Sequence, residues 1–234
     1  RFTEAFGIAA AQGKLVIVRS CTSASDEFRY VFSEFDLTSQ IERPGVVFRE
    51  QRVDFANKGF LYRKPSPLPL LPLTLGPDGR IYWNIGDIGF NGKGPDGTKW
   101  EHPNSGVIAR SNPDGSDFEI FAHGVRNTHE FTFDEYGNLI SPDNDGDHPG
   151  EKERLVYLVN GSDTGWRINW QFGKYRDPDN NTYKVWMDEQ LFKPRFEGQA
   201  AYITPAIANF VSGPAGFLYN PGTALSPQYK NTFF

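Results

Sequence analysis

The 234-residue sequence has few cysteines and no long apolar run, and each shortage excludes a class of protein. The single cysteine, Cys21, excludes an internal disulfide and gives no decision about the redox compartment. No apolar run approaches the roughly 18 residues that a membrane-spanning helix needs. The net charge of −5 argues against a nucleic-acid-binding surface, since phosphate binding needs clustered Lys and Arg. The sequence also lacks a Cys-His zinc pattern, a phosphate-binding loop and a nucleophile elbow.

The composition favours an all-β fold. Aromatic residues make up 15% of the chain, and there are 24 Gly and 17 Pro. This mixture is typical of many short strands joined by tight turns, and it suits long helices poorly. We expect one domain over residues 1–234. Because the sequence begins at Arg1 without Met or a signal peptide, and its end resembles the start of a strand, we expect a fragment or processed form of something longer.

Local patterns predict several elements. Lys14–Val18 and Phe28–Phe32 are apolar runs flanked by turn residues and predict strands. Asn112–Gly115 separates two strand-like runs with an Asp-Gly turn, which predicts a hairpin. Residues 63–74 carry four prolines and predict an extended connector, because proline cannot donate to a strand ladder. The pattern of Val185–Phe192 predicts a short helix.

A turn glycine followed by a polar residue and a strand recurs along the chain. The three copies are centred on Gly13, Gly79 and Gly137, with a looser copy at Gly216. Repeats of four-strand size predict the blades of a β-propeller. The spacings exceed the usual 40–50 residues per blade, so we expect insertions between blades. Three to four blades would fit in this chain, too few to close most propellers, which favours a fragment or a partner that supplies the rest.

The densest group of oxygen ligands lies between residues 143 and 153. Carboxylates this close repel one another unless a cation or basic side chains neutralise them. Two interpretations stay open, Ca²⁺ coordination or a solvated cluster of Asx turns. Lys152 and Arg154 are expected to balance the neighbouring glutamates. The candidate metal ligands are Asp143, Asp145, Gly146, Asp147, Glu151 and Glu153.

Five motifs, taken in order, resemble one enzyme family. They are Gly76–Asp87, Gly124–Asn127, Phe133–Leu139, Gly161–Trp166 and Gly213–Gly222. As a set they resemble the soluble quinoprotein sugar dehydrogenases of the glucose/sorbosone type, and within that superfamily the "membrane-bound dehydrogenase" branch. The resemblance covers about residues 70–234, and residues 1–62 match only in strand-like texture. It implies a six-bladed β-propeller that uses pyrroloquinoline quinone (PQQ) and calcium.

The resemblance also implies roles for individual residues. Arg126 and Asn127 fall where the family holds the quinone and the substrate, and Asn144 falls near an amide that contacts the cofactor. A planar guanidinium can pair bidentately with the carboxylates of such a cofactor. The Asp145–Gly146 backbone falls near carbonyls that ligate the catalytic calcium, and positions 151 and 153 fall among calcium-binding or ordering carboxylates. The alternative for Arg126 is a structural arginine that caps strand ends.

The family's general base is a histidine about eight residues before a blade glycine. Here that glycine is Gly76, and the position of the base falls at Leu68. Hydride abstraction from a hydroxyl-bearing carbon needs a base to take the proton. His129 lies two positions after Asn127 and could face the same pocket as a substitute catalytic base. The alternative for His129 is a core histidine with a structural role.

Two hypotheses of different classes follow. The first is a PQQ- and calcium-dependent dehydrogenase module, periplasmic or extracellular in a bacterium. It would oxidise a sugar or alcohol and pass electrons to a c-type cytochrome. The second is a catalytically silent propeller that serves as a binding or scaffold module, in a larger assembly whose further domains complete the ring. The absence of a histidine at position 68 favours the second, and the Arg126–Asn127 pair favours the first.

Overall fold

The computed structural model of the chain describes residues 4–11, 14–22, 27–36, 38, 42–51, 73–86, 89–94, 96–103, 105–144, 152–167, 196–197, 203–211, 213–223 and 225–234. In this part the chain forms seventeen β-strands and one turn of 3-10 helix, Pro227–Tyr229. The expected all-β class is confirmed. No helix among these residues is long and apolar enough to cross a bilayer.

The described strands form three larger sheets and one terminal hairpin. The first sheet has the order β1 (Glu4–Ala11), β2 (Lys14–Thr22), β3 (Glu27–Asp36), β4 (Glu42–Gln51), β7 (Gly89–Lys93), β8 (Lys99–Pro103). The second has the order β14 (Ser162–Asp163), β10 (Glu119–Val125), β9 (Gly106–Ser111), β6 (Ile81–Ile85), β5 (Leu73–Leu75). The third has the order β11 (Thr132–Phe133), β12 (Leu139–Asp143), β13 (Glu153–Leu158), β15 (Ala206–Phe210). The hairpin pairs β16 (Tyr219–Asn220) with β17 (Thr232–Phe233).

The predicted strands are confirmed where the structure describes them. Lys14–Val18 lies within β2, and Phe28–Phe32 lies within β3. The proline-rich connector ends earlier than expected, because strand β5 already begins at Leu73. The predicted helix Val185–Phe192 lies outside the described residues.

One five-residue turn recurs at four places in the described chain. In each copy the amide of the first residue donates to the carbonyl of the fifth, and the amide of the fourth, a glycine, donates to the carbonyl of the first. The glycine has a φ between 77° and 90°, which is open to a residue without Cβ. The turns span 76–80, 94–98, 112–116 and 134–138. The predicted turns at Gly79, Asn112–Gly115 and Gly137 are therefore confirmed, and Gly13 lies outside the described residues.

Strand β6 is buried on both faces and joins two hydrophobic clusters. Because side chains alternate along a strand, Ile81, Trp83 and Ile85 share one face, where they pack with Phe90 of β7. Tyr82 faces the other way and belongs to a cluster that includes residues of the third sheet. The second sheet is thus covered by the first sheet on one side and by the third on the other, which is how neighbouring propeller blades pack.

The β7–β8 hairpin accounts for part of the long spacing between the turn glycines. It follows β6 in the chain but leaves the second sheet and pairs with β4, where Arg49 lies opposite Lys93. The remaining strands β5, β6, β9 and β10 pair as an antiparallel set of blade size. Insertions were expected between blades, whereas this one lies between two strands of the same sheet.

Candidate functional site

The candidate site lies where strands of the second and third sheets end beside each other. β10 leads directly into Arg126–Asn127, and the next residue, Thr128, forms an isolated antiparallel bridge with Asp143 at the end of β12. Asn84 on β6 donates its side-chain amide to the Thr128 carbonyl at 2.8 Å. These two contacts hold residues 126–128 between the two sheets.

Asp143 is fully buried, and both of its carboxylate oxygens accept hydrogen bonds. The backbone amides of Arg126 and Asn127 donate to it at 3.0–3.1 Å. The Thr128 hydroxyl donates at 3.2 Å, and the Arg154 guanidinium donates at 2.9 Å. This carboxylate therefore acts as a structural acceptor for protein donors. Its surroundings differ from those expected of a calcium ligand, which presents its oxygens to the ion.

Arg154 stands directly opposite Asp143 in the β12–β13 ladder and is almost fully buried. Besides Asp143, its guanidinium donates to the Thr164 carbonyl at 2.5 Å. Sequence reasoning paired Arg154 with the neighbouring glutamates and missed this partner. The pairing follows from the register of the β12–β13 ladder. Leu139 lies opposite Leu158, so residue 143 lies opposite residue 154.

Arg126 and Asn144, both expected to bind the quinone, contact each other. Nη1 of Arg126 donates to the backbone carbonyl of Asn144 at 2.9 Å and to its side-chain oxygen at 3.2 Å. The Arg126 residue is 9% exposed. Positions 143 and 144 thus hold Arg126 by its backbone and by its side chain at the same time.

Asn127 and His129 also contact each other. Nδ2 of Asn127 lies 3.3 Å from Nε2 of His129, and which of the two groups donates depends on the tautomer of the imidazole. The Nε2 edge of the His129 ring therefore lies beside the Arg126–Asn127 pair. A pocket that these residues share stays a prediction.

The expected calcium site falls mostly outside the described residues. Asp145, Gly146, Asp147 and Glu151 lie there, together with His148 and Leu68. Glu153 is described and is buried at the start of β13, opposite Phe210 of β15. Within the described ranges no three acidic, histidine or cysteine side chains are grouped so that they could hold a metal ion. The predicted calcium site rests on the four candidates outside the described residues, and it stays a prediction.

Comparison with solved structures shows that the chain has a known fold. The chain superposes on the soluble aldose sugar dehydrogenase of Escherichia coli with a TM-score of 0.55 at 11% sequence identity. The chain shares the fold of that dehydrogenase. The match covers 95% of this chain and 61% of the other, so the chain spans less than two thirds of its length. No protein-family model matches the sequence, and no curated protein matches it significantly.

Two further solved structures are more distant. The PQQ-bound aldose sugar dehydrogenase of Streptomyces coelicolor has a TM-score of 0.40 at 12% identity, with 95% of this chain and 75% of the other covered. The PQQ domain of a Coprinopsis cinerea pyranose dehydrogenase has a TM-score of 0.32 at 11% identity, with 68% and 51% covered.

A second group of ionisable side chains, which sequence reasoning missed, lies between the first and second sheets. The rings of His102 on β8 and His123 on β10 have centroids 5.3 Å apart, and Nδ1 of His123 lies 3.6 Å from Asp163. Asp163 also pairs with Arg167 at 2.6 Å. Burial lowers the pKa of both histidines, and the Arg167 charge lowers each pKa further. Burial opposes ionisation of Asp163, but its hydrogen bonds and the Arg167 charge lower its pKa overall.

This pair predicts a loss of stability in mild acid. The unfolded histidines titrate near pH 6.5, and the folded pKa of each lies below that value. The neutral pair therefore stabilises the fold fully above about pH 6.5, and this contribution is lost as the pH falls through the lowered pKa values. We expect the thermal midpoint to fall as the pH drops below about 6.5, and the midpoint of the double variant His102→Gln, His123→Gln to fall less steeply. An unchanged pH dependence in the double variant would contradict the assignment.

Proposed function

We propose that the protein is a module of a quinoprotein-type dehydrogenase, which binds PQQ and oxidises a sugar or alcohol. The observation that carries the proposal is the Arg126–Asn144 contact beside the Asn127–His129 hydrogen bond. The shared fold with a soluble aldose sugar dehydrogenase supports it. When bound, the quinone supplies an acceptor for the two electrons of a hydride.

The donors at the site suit a planar, acidic cofactor. Arg126 binds a carboxylate through its guanidinium, which is held in a fixed direction by Asn144. The side-chain amides of Asn127 and Asn144 provide further polar contacts that orient the ring system. Gly86 borders the same place, and a side chain there would reach within 3.6 Å of the Asn127 side-chain oxygen. At that distance a methyl group would make an ordinary contact, so Gly86 lies against Asn127 without crowding it.

His129 is the proton acceptor in this proposal. Oxidation of an alcohol carbon breaks an O–H bond and a C–H bond and forms a carbonyl. His129 Nε2 takes the hydroxyl proton, and the hydride carries the electron pair away from the carbon. The contact with Asn127 holds the ring beside the Arg126–Asn127 pair, and a bound alcohol must displace the Asn127 amide before its hydroxyl can reach Nε2, because that nitrogen has a single lone pair.

Other parts of the proposal rest on the family resemblance. They are calcium coordination by the loop that contains Asp145, Gly146, Asp147 and Glu151, a periplasmic or extracellular location, and transfer of electrons to a c-type cytochrome. Completion of the propeller ring by further protein domains belongs with them. No step of the proposed reaction depends on these parts.

Quinone binding tests the proposal directly. We expect the protein to bind PQQ, followed by tryptophan fluorescence or equilibrium dialysis, and Arg126→Ala to weaken binding about 10–100-fold, because it removes a charged hydrogen-bond donor. His129→Gln should keep quinone affinity and lower sugar-dependent dye reduction by about 10²–10⁴-fold. Arg80→Ala, which removes a part-exposed arginine elsewhere on the second sheet, is the control and should change neither.

The second candidate function is a catalytically silent binding or scaffold module. The observation that favours it is the leucine at the family's base position, Leu68. A folded protein that binds no quinone, in the presence or absence of Ca²⁺, would rule out the dehydrogenase and leave this function.

A further inference from the structure

Two consecutive residues at the end of β12 fix the Arg126–Asn127 pair. Asp143 accepts from the backbone amides of both residues at 3.0–3.1 Å, and Asn144 accepts from the Arg126 guanidinium. The backbone conformation and the side-chain direction of Arg126 are therefore set from one strand end. A change in the position of Asp143 would move both.

Asp143 is itself held by Arg154 across the ladder. The two side chains are 0% and 1% exposed and 2.9 Å apart. The same guanidinium donates to the Thr164 carbonyl, and the Thr164 hydroxyl donates to the Gly124 carbonyl, two residues before Arg126. Arg154 thus connects β12 with the end of β10 and with the segment that follows β14.

A buried ion pair is a poor way to gain stability alone. Removing two charges from water costs about as much as their attraction returns, and apolar residues of similar volume often serve as well or better. What apolar residues cannot supply is a carboxylate that receives two adjacent backbone amides and a hydroxyl. The pair therefore has a geometric role that stability does not account for.

We propose that Arg154 is a positioning residue for the Arg126–Asn127 pair and acts on it through Asp143. Arg154 does not touch the quinone in this proposal. It holds the carboxylate that sets the direction in which Arg126 and Asn127 present their donors. The choice of the quinone as ligand rests on the proposed function. The effect of Arg154 on the conformation of Arg126 and Asn127 does not.

The variant Arg154→Lys separates the contribution of Arg154 to stability from its role in positioning Arg126 and Asn127. Lysine keeps the charge opposite Asp143 but lacks the planar fork that reaches Asp143 and the Thr164 carbonyl together. We expect the variant to fold, to exchange the amide protons of Arg126 and Asn127 at least about tenfold faster, and to bind PQQ roughly 10-fold more weakly. The matched control is Arg110→Lys, which alters an arginine that is 17% exposed and paired with Glu119 on the second sheet.

The readouts distinguish failure of the proposal from failure of the proposed function. Wild-type protein that binds no PQQ would end the dehydrogenase proposal, while the exchange rates of the Arg126 and Asn127 amides would still decide the positioning role. Unchanged exchange rates in Arg154→Lys would overturn that role. Wild-type quinone affinity in a variant whose Arg126 and Asn127 amides exchange faster would also overturn the positioning role. Should Arg154→Lys not fold, Arg154→Gln supplies the same readouts, because it leaves Asp143 in place and removes the guanidinium fork.

Discussion

Replacing Arg154 with methionine should lower the free energy of unfolding by about 3–5 kcal/mol. The substitution leaves the Asp143 carboxylate buried beside the backbone amides of residues 126 and 127 but without its guanidinium partner. The Thr164 carbonyl loses a donor as well. Methionine is shorter than arginine but fills most of its volume, so the loss should come mainly from the uncompensated charge and less from a cavity. Urea denaturation of both proteins at neutral pH measures the difference.

Arg80→Met is the matched control for this loss. Arg80 makes a shorter contact with Glu119, at 2.6 Å against 2.9 Å for Arg154 and Asp143, but the side chains are 27% and 39% exposed. Solvent screens such a pair, so its removal should cost about 0–1 kcal/mol. The double variant Asp143→Asn, Arg154→Met should recover part of the loss, because no unpaired charge stays buried. Equal destabilisation by Arg80→Met and Arg154→Met would contradict the special role of the buried pair.

The predictions that held depend on neighbouring residues. Strands at Lys14–Val18 and Phe28–Phe32 and the turn at Asn112–Gly115 follow from local alternation and from the needs of a turn glycine. The position of the β7–β8 hairpin depends instead on pairing between Arg49 and Lys93, which are far apart in the chain. No local pattern encodes that pairing, so the insertion was expected between blades.

The contacts at the site also divide into those between residues close in the sequence and those between distant residues. Asn127 and His129 are two positions apart, and their contact follows from that proximity in the sequence. The surroundings of Asp143 were harder to predict, because a run of acidic residues suggests a cation while the actual partner lies across a ladder. The His102–His123 contact joins strands of two different sheets, and no spacing in the sequence indicates it.

Gly124→Ala should be among the most destabilising single substitutions in the described chain. Gly124 has a φ of 78°, a conformation that costs a residue with Cβ about 1–2 kcal/mol. A Cβ there would also lie 2.5 Å from the Gly165 amide nitrogen and 2.9 Å from that of Thr164, and closer still to the Asp163 carboxylate. Because two of these three atoms belong to backbone, the segment after β14 must shift, which adds about 1–3 kcal/mol. The expected total is about 3 kcal/mol or more.

Gly79→Ala isolates the conformational part of this cost. Gly79 has a φ of 77°, nearly the same as Gly124, but a Cβ built on it meets no atom within 4 Å. Its substitution should therefore cost about 1 kcal/mol, since the left-handed conformation alone is penalised and alanine also reduces the freedom of the unfolded chain. The difference between the two variants in urea denaturation measures how tightly the segment after β14 packs against the end of β10. Equal losses would show that the segment after β14 shifts without a measurable cost in the free energy of unfolding. The connection from Thr164 through Arg154 to Asp143 would then be too flexible to hold Arg126 in place.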